Sequence, residues 1–97
     1  MKEERIIRRH LILSGLVQGV GFRWRARCAA EAAGVTGWVR NDLGGTVTLE
    51  LQGTEAQIDR VLAGIERGRY IRIDGINARS IPLREDERGF TTRDDGW

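Results

Sequence analysis

"VTGWVRNDLGGTVTLELQ", residues 35–52, decides the architecture of this chain. Its second half alternates: Val47, Leu49 and Leu51 point to one side, and Thr46, Thr48, Glu50 and Gln52 to the other. That is the period of a strand with one buried face. The first half, "VTGWVRN", carries β-branched and aromatic residues that favour extended backbone, and "DLGG" between the halves is turn chemistry. Together they make a hairpin whose apolar face needs a cover.

The flanking segments supply one. Upstream, Phe22, Ala26, Ala29, Ala30 and Ala33 fall on a single helical face, and Gly34 is the stop. Downstream, Thr54 precedes Gln57 by three residues as a capping box, and Ile58, Val61, Leu62 and Ile65 form the buried stripe of a second helix closed by Gly68. Outside the helices, "IIRRHLILSG" reads as a first strand with Leu11 and Leu13 on one face. "YIRIDGINARSIPL" reads as a later strand, interrupted near Asp74 and Gly75. "GFTTR" is a candidate edge strand, and the final "DDGW" is expected to fray. The order strand, helix, strand, strand, helix, strand predicts an α+β, ferredoxin-like split βαβ sandwich, with an antiparallel sheet and both helices on one face. Many activities use that fold, so function must be read from residues.

Ninety-seven residues fit one small domain, spanning 1–97 with its core over about 8–92 and flexible ends expected, and any site in it must be shallow. No stretch approaches the roughly 20 apolar residues of a membrane span, and "MKEERIIRRH" lacks the apolar middle of a signal peptide, so a cytoplasmic protein with no membrane partner is expected. One cysteine, Cys28, and one histidine, His10, exclude an internal disulfide and a His/Cys zinc site. The formal charge is +2, and apart from Lys2 the cations are arginines. Arginine binds phosphate and carboxylate bidentately, which directs attention to anionic partners. The charges are nonetheless interleaved with acids, as in "REDER" at 84–88, which reads as a solvated surface rather than a nucleic-acid stripe.

"GLVQGVGFRWR", residues 15–25, places Arg23, Arg25 and Arg27 in the first turns of a helix, with no acid between Phe22 and Cys28. Cations there oppose the helix dipole by roughly 0.3–1 kcal/mol each when exposed. A bound anion would reverse the sign. Gly19 and Gly21 can take backbone angles that turn successive N–H groups toward one point, and the free N–H groups of the helix start add to such a nest. Arg23, nearest the loop, would complete it, leaving Arg25 and Arg27 solvated. The plainer alternative is a strand-to-helix turn with surface arginines. The spacing matches neither a P-loop nor a dinucleotide fingerprint. Asn41, ending the strand "GWVRN", would lie on the same rim, because that strand runs parallel to the first. Its amide can hold a water in line with a bound phosphoryl group, or it can simply form the turn.

"GLVQGVGFRWR" followed by "GWVRNDLGG" resembles the two signatures of the acylphosphatases, and the likeness runs from His10 to Thr92, including "VTLELQG" and the late "GF". The resemblance implies hydrolysis of small-molecule acyl phosphates to a carboxylate and inorganic phosphate, the latter also an inhibitor, by a monomer without metal or cofactor. It implies phosphate binding by the backbone of Gln18, Gly19, Val20, Gly21 and Phe22, with Arg23 holding the phosphoryl group and Asn41 orienting water. His10 and Cys28 are then structural. The sequence departs from the family pattern at the "DLGG" turn, at Trp24 and Arg25, and in the residues beyond "GFTTR". Three other readings compete. One is the related carbamoyl-phosphate-acting domain of a hydrogenase-maturation protein, which carries a similar "VQGVGFR". Another is a phosphate-binding regulatory module without turnover. The third is RNA binding, opposed by the lack of exposed aromatics in "TVTLELQ".

Overall fold

The computed structural model describes residues 4–93. The elements are β1 (Ile7–Leu16), α1 (Phe22–Ala33), β2 (Thr36–Asn41), β3 (Val47–Gly53), α2 (Glu55–Glu66), β4 (Arg72–Ile81) and β5 (Phe90–Arg93). They form one sheet in the order β4-β1-β3-β2-β5, which is the expected split βαβ arrangement with one strand added. The DDGW end falls outside the described residues.

The hairpin forms as its pattern dictates, with Val39 opposite Leu49 and Asn41 opposite Val47. On the other side of β3, Leu49 faces Leu11 and Val47 faces Leu13. These side chains meet Phe22, Ala26 and Ala30 of α1 and Ile58, Val61 and Ile65 of α2 in a single core. Leu62, Ala29 and Ala33 pack against it only partly buried. The first helix ends and the second begins as the sequence predicts, while α2 closes at Arg67, one residue before the expected Gly68. Gly34 (φ 75°) donates to the carbonyls of Ala30 and Glu31, and the capping box of α2 closes in both directions, through Thr54 N–H to Gln57 Oε1 (2.8 Å) and Gln57 N–H to Thr54 Oγ1 (3.2 Å).

Three expectations need correction. The sheet is mixed, because β5 pairs parallel with β2, Gly37 opposite Phe90. The reason is topological: β4 runs antiparallel to β1 and ends beside Arg8, and residues 82–89 cross the sheet at that end, so β5 starts there and runs with β2. β4 is continuous, and the predicted interruption is a bulge: Ser14 faces Gly75 and Gly15 faces Ile73, leaving Asp74 without an opposite residue. A Cβ on Gly15 would lie 2.3 Å from the Arg72 carbonyl oxygen, so only glycine allows this approach.

The third correction concerns the outward face of β3, which is covered rather than solvated. Thr48 is buried, and Arg8, only 1% exposed, sits among Glu50 (2.9 Å), Glu87 (2.7 Å) and the Gln52 side chain (3.1 Å). Glu87 belongs to the "REDER" stretch, which is therefore an anchor as well as a surface. Burial works against the charge on Arg8, but Glu87 and Glu50 outweigh it and hold its pKa above the ordinary arginine value. Glu50 also meets His10 Nδ1 at 2.6 Å. Burial alone would raise its carboxyl, yet hydrogen bonds from His10 and Arg8 bring it below the usual value. Beside this cluster Trp38 is buried between the guanidinium groups of Arg93 (4.3 Å from the ring centre) and Arg40 (5.2 Å).

Candidate active site at the β1–α1 rim

The C-terminal ends of β1 and β2 share one rim of the sheet, and the loop from β1 to α1 lies there. Val17 anchors it in the core. Gly19 (φ 73°) and Gly21 (φ 79°) both take left-handed backbone, and a Cβ on either would meet no atom within 4 Å. The dihedral angle, not crowding, is what calls for glycine there. The helix then begins cleanly, Arg25 N–H donating to the Gly21 carbonyl at 3.0 Å. Its start has no side-chain cap and no acid in the first turn. Among the described residues, the N–H groups of Gly19, Val20, Gly21 and Phe22 donate to no protein acceptor. Such a run of free donors at a helix start is an anion nest.

Gln18 holds this loop in place. Its side-chain amide donates to the carbonyls of Asp42 (2.7 Å) and Thr46 (2.8 Å), clamping the loop to the β2–β3 turn. The turn in its turn is braced by the Asp42 carboxylate, which accepts from Thr48 Oγ1 (2.7 Å), Thr46 Oγ1 (3.0 Å) and Arg40 Nε (3.0 Å). Burial alone would raise the Asp42 carboxyl. The hydrogen bonds from Thr48, Arg40 and Thr46, with the Arg40 charge, outweigh burial and leave it below the ordinary range.

Between loop, helix and turn lies a pocket of about 220 Å³ lined by Val17, Gly19, Gly21, Phe22, Arg23, Trp24 and Asn41. Five of the sequence-predicted site residues thus share one cavity: Gly19, Gly21, Phe22, Arg23 and Asn41. The other two do not line it: Gln18 bonds to the turn, and Val20 packs half-buried against the core. Asn41 is 7% exposed, and its Oδ1 is buried without a hydrogen-bond partner among the described residues. A water is the natural partner for a buried acceptor that the described residues leave unsatisfied.

Arg25 is half-buried rather than solvated: its stem lies where a Cβ on Gly68 would stand, 3.0 Å from its Cδ and Nε. Arg27 is exposed, paired with Glu31 one turn on (3.3 Å). His10 serves the outer-face cluster, and Cys28 is exposed on α1, outside the pocket, with no packing role. Among the described residues no three His, Cys, Asp or Glu side chains gather where they could hold a metal ion, and no helix is long and apolar enough to cross a membrane. Sequence reasoning missed Asp42 and Trp24. Two threonines within six residues of Asp42 were a signal for the first, and adjacency to Arg23 for the second.

The acylphosphatase family model matches residues 9–92. An acylphosphatase of Clostridium acetobutylicum is 39% identical over 87 residues, covering 88% of this chain and 96% of its own. The structure of an acylphosphatase from Coxiella burnetii superposes with a TM-score of 0.81 at 31% identity, covering 96% of this chain and all of that one. Full-length HypF in a phosphate- and nucleotide-bound form gives the same TM-score at 26% identity, but the match takes in 95% of this chain and only 12% of HypF.

Proposed function

The chain belongs to the acylphosphatase family, whose activity is the hydrolysis of acyl phosphates to a carboxylate and inorganic phosphate, and from that premise we propose how its rim performs the reaction. The phosphoryl oxygens accept hydrogen bonds from the N–H groups of Gly19, Val20, Gly21 and Phe22, with Gln18 fixing the loop through the turn. Arg23 supplies the charge that this dianion needs. An anion at this point also turns the early-helix arginines from a cost into a gain. Asn41 Oδ1 accepts a hydrogen bond from the attacking water and presents its lone pair to phosphorus opposite the leaving oxygen.

The P–O bond to the acyl group breaks as the bond to water forms, and the water's proton passes to a phosphoryl oxygen. The acyl oxygen leaves as a carboxylate, a stable anion that needs no protonation. Catalysis is therefore positioning and electrostatic stabilisation rather than general-base strength. Asn41, whose Oδ1 has no partner among the described residues, lines one pocket with Gly19, Gly21, Phe22 and Arg23, and that is the observation that carries this reading.

Inorganic phosphate, the product, would occupy the same nest and inhibit. The proposed reaction uses residues of one chain and needs no second copy to complete the pocket. A single free thiol, Cys28, is consistent with a reducing cytoplasm. The test is hydrolysis of benzoyl phosphate in the presence of a chelator. Arg23→Gln is expected to lose both turnover and inhibition by phosphate, and retention of either contradicts the anion site. Carbamoyl phosphate run alongside separates this reading from that of the carbamoyl-phosphate-acting relative.

A further inference from the structure

We infer that Trp24 is the platform for the acyl half of the substrate, and that the enzyme favours acyl phosphates whose acyl group is a flat aromatic ring. The inference rests on the rim being the phosphoryl site. At about 220 Å³ the pocket is smaller than the roughly 300–1,000 Å³ that encloses larger ligands, so it holds the phosphoryl group and water while the acyl group projects across its edge. What lies at that edge sets the preference. Val17 and Phe22 are buried at 0% and 2% exposure, the glycines have no side chain, and the proposed reaction assigns Arg23 to the phosphoryl group and Asn41 to water.

Trp24 is different. It is 68% exposed and stands off the buried stripe of Phe22, Ala26 and Ala30, so core packing does not account for its size. It lines both the rim pocket and a neighbouring shallow groove with Arg25, Cys28 and Arg67, so the residue is shared by the two hollows and the indole can serve as a ridge where they meet. An aromatic acyl group leaving the pocket can stack on that ridge, offset or edge-on, and gain more than its area alone would give. An acetyl group has no ring to stack and gains less there.

The experiment compares kcat/KM for benzoyl phosphate and acetyl phosphate in the wild type, Trp24→Ala, Trp24→Gln and Trp24→Phe. In Trp24→Ala and Trp24→Gln the benzoyl-to-acetyl ratio is expected to fall about tenfold, mainly through KM for benzoyl phosphate, and Trp24→Phe should restore most of it. A ratio unchanged in Ala and Gln, or not restored by Phe, overturns the role given to Trp24. Hydrolysis of neither substrate by the wild type would instead overturn the phosphoryl site itself.

Discussion

The outward face of the sheet and the rim above it both gather arginine and carboxamide groups, yet the chain partners those of the first, where Trp38 Nε1 is the buried group left over among the described residues, and leaves several open at the second. On the outward face Arg8 has Glu50, Glu87 and Gln52, and Glu50 also has His10. At the rim, four loop N–H groups and the Asn41 Oδ1 have no protein partner among the described residues. A buried acceptor left unmade costs about 1–3 kcal/mol, so the rim is tolerable only when water or an anion fills it. What sets the rim apart is that its open groups, the loop N–H donors and Asn41, gather around one pocket, whereas Trp38 Nε1 on the outward face stands alone.

The sharpest way to break this contrast is at Arg8. Arg8→Ala strands two partly buried carboxylates and should cost about 3–5 kcal/mol in chemical denaturation, whereas Arg8→Met with Glu50→Gln and Glu87→Gln should recover much of it. Neither change should alter kcat while the protein is folded. An altered kcat in folded protein would mean that the two regions are coupled.

Asp42 joins the two regions, and its effect is smaller. Asp42→Asn should cost about 1.5–3 kcal/mol at pH 7, since a charged acceptor of three hydrogen bonds is lost. The folded carboxyl sits below its ordinary value, so its stabilisation is complete above the unfolded pKa of about 4 and disappears as pH falls through the lower, folded value. The gap between urea titrations of wild type and variant should therefore narrow as the pH is lowered from 7 to 3. A gap constant with pH would assign the cost to shape rather than charge. The smallest effect belongs to Arg27→Ala, which removes an exposed i,i+4 pair with Glu31 and should change stability by less than about 0.5 kcal/mol and phosphate inhibition not at all.

What could be read in advance followed periodicity and local chemistry. The alternation of Val47, Leu49 and Leu51, the helical stripes, the Thr54–Gln57 box and Gly34 are decided within a few residues, and all appear as expected. The direction of β5 is decided by where residues 82–89 cross the sheet, which no local pattern contains. The pairing of buried Arg8 likewise depends on Glu87 arriving from 79 residues beyond it. At the rim, Gly19, Gly21, Arg23 and Asn41 were legible because backbone freedom and charge at a helix start are local. Gln18 was read as a phosphate contact through its backbone. That its side chain ties the loop to the carbonyls of Asp42 and Thr46 is a long-range fact visible only in three dimensions.

The division of labour at the rim can be tested most directly with Asn41→Ala, measuring kcat on benzoyl phosphate and the inhibition constant of inorganic phosphate in the same preparation. Loss of the water's acceptor should lower kcat about 10²–10³-fold, while the phosphate constant stays within about twofold of wild type, because the loop amides and Arg23 are untouched. Near-normal turnover, or a phosphate constant that rises in step with the fall in kcat, would contradict the assignment of water to Asn41 and phosphate to the loop.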